Sequence, residues 1–341
     1  MDLRDLRTLP KVDLHRHLEG AVRLSTILEL SLAAGIPLPA DTAEGLAPHA
    51  LVTRPVRSLE EALRAFAYAQ NAVRTLEAVR RIAAEAVEDL AAENVRLAEL
   101  RFSPDFLCGP AGLDRDGAME AIADGVAEAG ARCDVAVGVI AIFSRNLGEG
   151  SGRDTVAFAL RHRDRLVGFD IAGPEVGYPP ARYRSLLEPL HGSGLGLTTH
   201  YGESGGPRYP KEAVEALGPS RLGHGLSVAR DPAVIDLVID RGVTLEMCPW
   251  SNWLTGGVER VRDHPARRLL DAGVRVTLNS DDPGLFGTDL TRDLEVARDE
   301  LGFDAARFRR VTENAIRASF LPDDVKARVR TAHFGWLEEA G

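Results

Sequence analysis

Cysteine is scarce in this chain of 341 residues: Cys108, Cys133 and Cys248 make an odd count with no C-x-x-C pair. That argues against a disulfide framework and against a structural zinc ribbon. Lysine is equally rare (Lys11, Lys211, Lys326), so arginines scattered among acids carry the positive side. With 41 basic against 51 acidic residues the formal net charge is −10, and no uniform basic stripe stands out. Broad nucleic-acid binding or an anionic membrane surface is a poor match for such a balance. Nowhere do eighteen apolar residues run together, so no membrane span is expected. Met1-Asp2-Leu3-Arg4-Asp5 carries acids where a secretory leader is basic, and no apolar stretch follows; the expectation is a soluble, cytoplasmic protein. Phosphate-loop, H-E-x-x-H and H-x-E…P-C-x-x-C patterns are all missing.

What remains is ordinary globular composition, 45% hydrophobic and 27% charged. Short β-branched runs alternate with longer helical patterns. Eight strands are expected: Lys11–His15, Val95–Phe102, Asp134–Phe143, Arg165–Ala172, Leu195–Tyr201, Arg221–Gly225, Thr244–Cys248 and Arg275–Ser280. Several are almost wholly apolar, as parallel strands covered on both faces should be. Eight βα units fit a closed (β/α)8 TIM barrel better than an open doubly wound sheet. Residues 25–93 are too long for one connection and read as an inserted helical segment. Within it, Ser58-Leu59-Glu60-Glu61 is a capping-box pattern opening one Ala/Leu-rich run that ends near Asn94. Further helical runs, 288–300, 304–319 and 323–339, follow the last strand. The whole chain, 1–341, reads as one domain.

Barrel chemistry is built at the C-terminal strand ends. Four of the nine histidines stand there: His15, His17, His200 and His224. His15 and His17, two apart on one strand, point to the same face and can reach one point. With His200 and the carboxylate of Asp281 arriving from other strand ends, three nitrogens and one oxygen make a workable set for one divalent ion. Glu203, just past His200, is a general acid beside such a cation or else a solvated loop carboxylate. His224, between two glycines, is either an acid/base group or a packed barrel histidine. In Asp281-Asp282-Pro283, strand alternation would turn the two carboxylates to different sides. Trp250 and Trp253 could wall a pocket for a flat ring or simply pack a loop. Cys248 reads as a small core residue. A rival motif, Gly202-Glu203-Ser204-Gly205-Gly206, matches the G-x-S-x-G elbow of serine esterases, with Asp281 and His333 later in the chain. Pro207 and Pro210 interrupt the helix that an elbow needs.

Lys11-Val12-Asp13-Leu14-His15-Arg16-His17-Leu18-Glu19-Gly20 resembles the opening motif of the adenosine deaminase family. The likeness continues through Glu99–Pro104, His200-Tyr201-Gly202-Glu203, Arg221–Gly225, Cys248–Asn252 and Asn279–Pro283, in family order along nearly the whole chain. The resemblance implies a metal-dependent barrel hydrolase that replaces the 6-amino group of a purine by oxygen and releases ammonia. It implies that His15, His17, His200 and Asp281 hold one zinc ion, a role that other divalent metals could also fill. His224 would orient and deprotonate the attacking water, and Glu203 would pass a proton to ring N1. Asp282 and the backbone of Gly173 would hydrogen-bond ring nitrogens, with Glu19 and Ser103 also on the substrate side. Two positions depart from the adenosine-type pattern: Glu19 stands where Asp is usual, and Tyr201 where Ala is usual. Adenosine, 6-aminodeoxyfutalosine of a menaquinone pathway and free adenine are therefore the substrates to compare. A barrel that has lost catalysis and only binds is the reading from another class. The segments 25–57 and 104–116 are the candidates to close over a substrate.

Overall fold

The computed structural model describes residues 5–56 and 59–338. Its strands are β1 Lys11–His17, β2 Val95–Phe102, β3 Ala136–Ser144, β4 Gly168–Ala172, β5 Gly196–His200, β6 Arg221–Gly223, β7 Thr244–Met247 and β8 Arg275–Leu278. They pair in sequential order, every neighbour parallel. Between β8 and β1 the ladder shrinks to one bridge, Arg16 with Asp281. There the Asp281 N–H donates to the His15 carbonyl and the His17 N–H to the Asp281 carbonyl, each at 2.8 Å. The sheet is thus a (β/α)8 TIM barrel, and the (β/α)8 expectation stands.

β1 is irregular beside this seam. Between Asp13 and Arg16, β1 holds one more residue than β2 does between Ala98 and Leu100. Such a bulge breaks the ladder and re-aims side chains at a barrel rim. The freed donors find side chains: Leu14 N–H bonds Asn279 Oδ1 at 3.0 Å, and Asp13 Oδ1 accepts the N–H groups of His15 and Ser280 at 3.3 and 3.4 Å. Outside the seam, Val12, Leu14 and Leu97 are buried with Ile316, Leu321 and Trp336 of the C-terminal segment. The helix Ala305–Ala318 lies across β8 and β1, with Asn314 Nδ2 donating to the Val276 carbonyl at 3.0 Å.

Four helices, Leu24–Ala33, Ala43–Ala50, Leu59–Ala72 and Leu76–Ala92, fill the insertion between β1 and β2. The single run expected up to Asn94 is two helices. Thr75 Oγ accepts the Ala78 N–H at 3.1 Å and caps a fresh helix start. Alanine-rich sequence on both sides hides that break. Ser58, the proposed cap of the run, lies outside the described residues. After β8 come Leu290–Asp299, Ala305–Ala318 and Asp323–His333, close to the three expected runs. Among the described residues, no helix is long and apolar enough to cross a membrane.

Candidate active site and metal centre

β1 carries His15 and His17 into one space, which His200 enters from the end of β5. The ring centroids of His15 lie 5.3 Å from His17 and 4.6 Å from His200. His15 Nδ1–H donates to Glu246 Oε2 at 2.8 Å, which leaves Nε2 with its lone pair. That buried Nε2 has no hydrogen-bond partner. It faces Asp281 Oδ1 at 3.2 Å, and His17 Nε2 lies 3.3 Å from the same oxygen. His200 Nδ1 is likewise held, by Asp170 at 3.1 and 3.0 Å to its two oxygens. Ligand atoms of His15, His17 and His200 all lie within 4.8 Å of one another, and those of His17, Asp281 and Asp282 form an overlapping group.

An orphaned imidazole nitrogen among two more imidazoles and a carboxylate is the donor set of a divalent cation. Carboxylates on the far nitrogens fix the ring orientation, as metal-ligating histidines require. The electrostatics agree. Burial lowers the His200 imidazole to about 3, which keeps it neutral. Burial opposes ionisation of Asp281, yet the imidazoles around it hold its carboxyl well below the usual range. Asp282 goes the other way: burial, then the charges of Asp281, Glu19 and Glu203, push it well above the usual range.

Beneath the rings lies a closed charge network. Glu246 accepts from Arg101 at 2.9 Å and from Thr198 at 3.0 Å, and forms an ion pair with Arg221, whose Nε lies 2.6 Å away. Arg101 also bonds Asp170 at 2.8 Å and Arg221 bonds Glu99 at 2.5 Å. These partners hold the Glu246 carboxyl well below its ordinary range although burial opposes it.

Above the rings a cavity opens, walled in part by Glu19, Ser103, Gly173, Glu203, His224 and Asp282. The Glu203 loop is pinned by a buried carboxylate: Glu175 accepts the N–H groups of Gly202, Glu203 and Ser204 at 2.8, 2.7 and 2.9 Å. Glu203 Oε2 stands 3.7 Å from His224 Nε2. His224 and Asp281 adopt φ of +60° and +65°, the left-handed region that non-glycine residues rarely enter and that clusters at functional sites. Gly173 takes φ +94°, where a side chain would be strained. Ser103 N–H donates to Glu19 Oε1 at 2.8 Å, while its hydroxyl caps the helix Pro104–Cys108. Burial raises the Glu19 carboxyl to about 7.

Gly20 is needed for a different reason: a methyl group there would collide with Asp282 Oδ1. Gly20→Ala is expected to displace the Asp282 carboxyl and lower turnover, with metal content unchanged. Elemental analysis beside the rate checks this; wild-type turnover in that variant would show that Asp282 needs no such clearance.

The structure brings His15, His17, His200, Glu203, His224, Asp281 and Asp282 to one space, but several readings need correction. Asp281 and Asp282 do not face different sides, because β8 ends at Leu278 and the left-handed turn at Asp281 brings both to one cavity. Trp250 and Trp253 pack on each other, with centroids 4.7 Å apart, and against Val52 and Leu285 rather than walling the cavity. Ser204 is exposed, and the helix after it starts only at Arg208. His333 pairs with Asp134 at 3.2 Å, so the esterase constellation does not form. Cys248 is a buried core residue whose thiol burial pushes well up. Of the two segments expected to close over a substrate, 104–116 supplies Phe106 to the cavity wall; the helix Leu59–Ala72 adds Phe66 and Gln70, and among the described residues no lining residue comes from 25–57.

Sequence reasoning missed the supports: Glu246, Asp170, Glu175, Ser251, whose hydroxyl bonds Asp281 Oδ2 at 2.5 Å, and Asn252. Glu246 and Asp170 did leave a signal, each being the one ionisable residue in an otherwise uncharged strand.

The chain matches the family model described as adenosine deaminase over residues 10–332. An adenosine deaminase of Erwinia tasmaniensis is 36% identical over 322 residues, covering 94% of this chain and 97% of that one. The crystal structure of an adenine deaminase from Arthrobacter aurescens superposes with a TM-score of 0.90 at 27% identity, covering 97% of this chain and 100% of that one. An amidohydrolase of Burkholderia ambifaria with bound zinc gives 0.87 at 27% identity, over 98% and 92%.

Proposed function

The chain belongs to the adenosine deaminase family, and from that premise we propose that it deaminates a 6-aminopurine nucleoside hydrolytically, adenosine first among the candidates, with one zinc ion. The observation that carries this reading is the convergence of His15, His17, His200 and Asp281 below a cavity that also holds Glu203 and Asp282. His15 Nε2, His17 Nε2, His200 Nε2 and an Asp281 oxygen would hold the ion. When bound, such an ion lowers the pKa of its water from 15.7 to about 7 and so supplies a nucleophile at neutral pH.

The chain's own residues do the rest. Hydrolysis adds the oxygen of water to purine C6 and breaks the bond from C6 to the amino nitrogen, which leaves as ammonia. Of the two protons of that water, one reaches ring N1 through Glu203, so that the electron pair of the C6–N1 double bond has a destination, and the other leaves on the amino nitrogen. Asp282, whose carboxyl is pushed up by burial and its acidic neighbours, hydrogen-bonds a ring nitrogen. The Gly173 backbone approaches the ring edge where no side chain intervenes. Glu19, tied to the Ser103 N–H, bounds the part of the cavity farther from the reacting carbon.

A second reading, free adenine, is favoured by Glu19: the longer carboxylate at an Asp position takes space from a sugar. The likeness to the Arthrobacter enzyme points the same way.

The test is ammonia release from adenosine, adenine and 6-aminodeoxyfutalosine, assayed side by side on zinc-loaded protein. One substrate should turn over fast, chelation should abolish turnover, and zinc should restore it. His15→Ala should lose metal and activity together. Stoichiometric zinc without ammonia from any amine would instead favour a binding protein. Ester hydrolysis that survives a chelator but not Ser204→Ala would sink the zinc reading.

A further inference from the structure

We infer that His264 and Asn252, neither of them among the residues walling the cavity, are positioning residues that hold His224 in one tautomer, its proton on Nε2. His224 then meets the reacting water as a hydrogen-bond donor. The inference refines the deaminase reading and rests on it only for its kinetic consequence.

The chain of bonds starts from a donor that has no alternative. The backbone N–H of Ala266 points at His264 Nδ1, 3.2 Å away. A nitrogen that accepts cannot carry a proton, so His264 is neither the Nδ1–H tautomer nor an imidazolium. Its one proton is on Nε2, which lies 3.0 Å from Asn252 Oδ1. His264 is buried, and burial lowers its imidazole to about 3, in the same direction. With the amide oxygen taken by His264, the amide NH2 faces the other way, onto His224 Nδ1 at 3.0 Å. That nitrogen must therefore also accept. The remaining proton of His224 sits on Nε2, on the cavity side, 3.7 Å from Glu203 Oε2.

Reversing any member breaks the next. A proton on His224 Nδ1 would meet the Asn252 NH2. Turning the amide over would set its NH2 against the His264 Nε2–H, and shifting the His264 proton would set it against the Ala266 N–H. The His224 backbone is fixed as well, its N–H bonded to the Glu246 carbonyl at 2.9 Å. On this assignment His224 donates to the water rather than deprotonating it, and the proton the water gives up goes to Glu203, the carboxylate beside it, on its way to ring N1.

Imidazole nitrogen-15 spectra of histidine-labelled, metal-free protein test the assignment directly. His264 and His224 should both show a protonated Nε2 and an unprotonated Nδ1. Asn252→Asp keeps an oxygen for His264 but replaces the NH2 by an acceptor, so the His224 proton should move to Nδ1. In the zinc-loaded variant kcat should fall about 10²-fold with KM little changed. A wild-type spectrum with His224 protonated at Nδ1 overturns the inference, and so does an Asn252→Asp protein with unaltered tautomer and rate. Should that variant fail to fold, the wild-type spectrum still decides. Absence of ammonia from every substrate would defeat the deaminase reading and leave the tautomer assignment intact.

Discussion

Replacing Glu203 by Gln is expected to lower turnover by roughly 10²- to 10⁴-fold, the usual contribution of one acid/base group, while zinc content and thermal stability stay near wild type. The loop that carries Glu203 is held through its backbone, by three N–H groups on Glu175, and not through the Glu203 side chain. The side chain has two long contacts, Thr255 Oγ at 3.4 Å from Oε1 and His224 Nε2 at 3.7 Å from Oε2, and an amide fits the same space. Gln therefore keeps shape and removes only the exchangeable proton. Because Glu203 is not among the grouped ligand residues, metal should load normally. Steady-state kinetics beside elemental analysis separate the outcomes: a near-normal rate refutes the proton role, and lost metal would show that Glu203 helps hold the ion.

Glu246→Ala should be the most destructive change to the protein itself. It leaves Arg101 and Arg221 buried without their shared acceptor and frees His15 to rotate. Breaking a buried pair by removing one partner costs about 3–5 kcal/mol, and losing the support of a ligating histidine typically weakens metal binding about 10- to 100-fold. Glu246→Gln retains oxygen and volume but not charge, so it should fall between. A carboxyl held below its ordinary value of 4.5 contributes stability that is fully present above that pH and is lost as pH falls toward the depressed value. The destabilisation should therefore be complete at pH 7 and shrink in acid. Denaturant unfolding at pH 7 and pH 4 measures both; equal loss at the two pH values would mean that volume, not charge, matters.

The alternation of apolar strands and amphipathic helices made the barrel legible, because parallel strands buried on both faces read as unbroken apolar runs. Helix breaks were less so: Thr75 looks like any residue in an alanine-rich stretch until its hydroxyl is seen capping Ala78. His15 and His17 were readable as a pair because strand periodicity is local. The supports of their rings were not, since Glu246 meets His15 across 231 positions of chain, and nothing in a linear pattern joins them.

The sequence by itself determined the fold class, the strand order and which side chains could hold a cation, all of which follow from short-range periodicity and side-chain chemistry. The tertiary structure alone decided how those side chains are aimed. The bulge in β1, the left-handed turns at His224 and Asp281, and the bonds from Glu246, Asp170 and Asn252 are long-range or backbone features. Which nitrogen of each imidazole is free depends on a partner that only folding brings within about 3 Å.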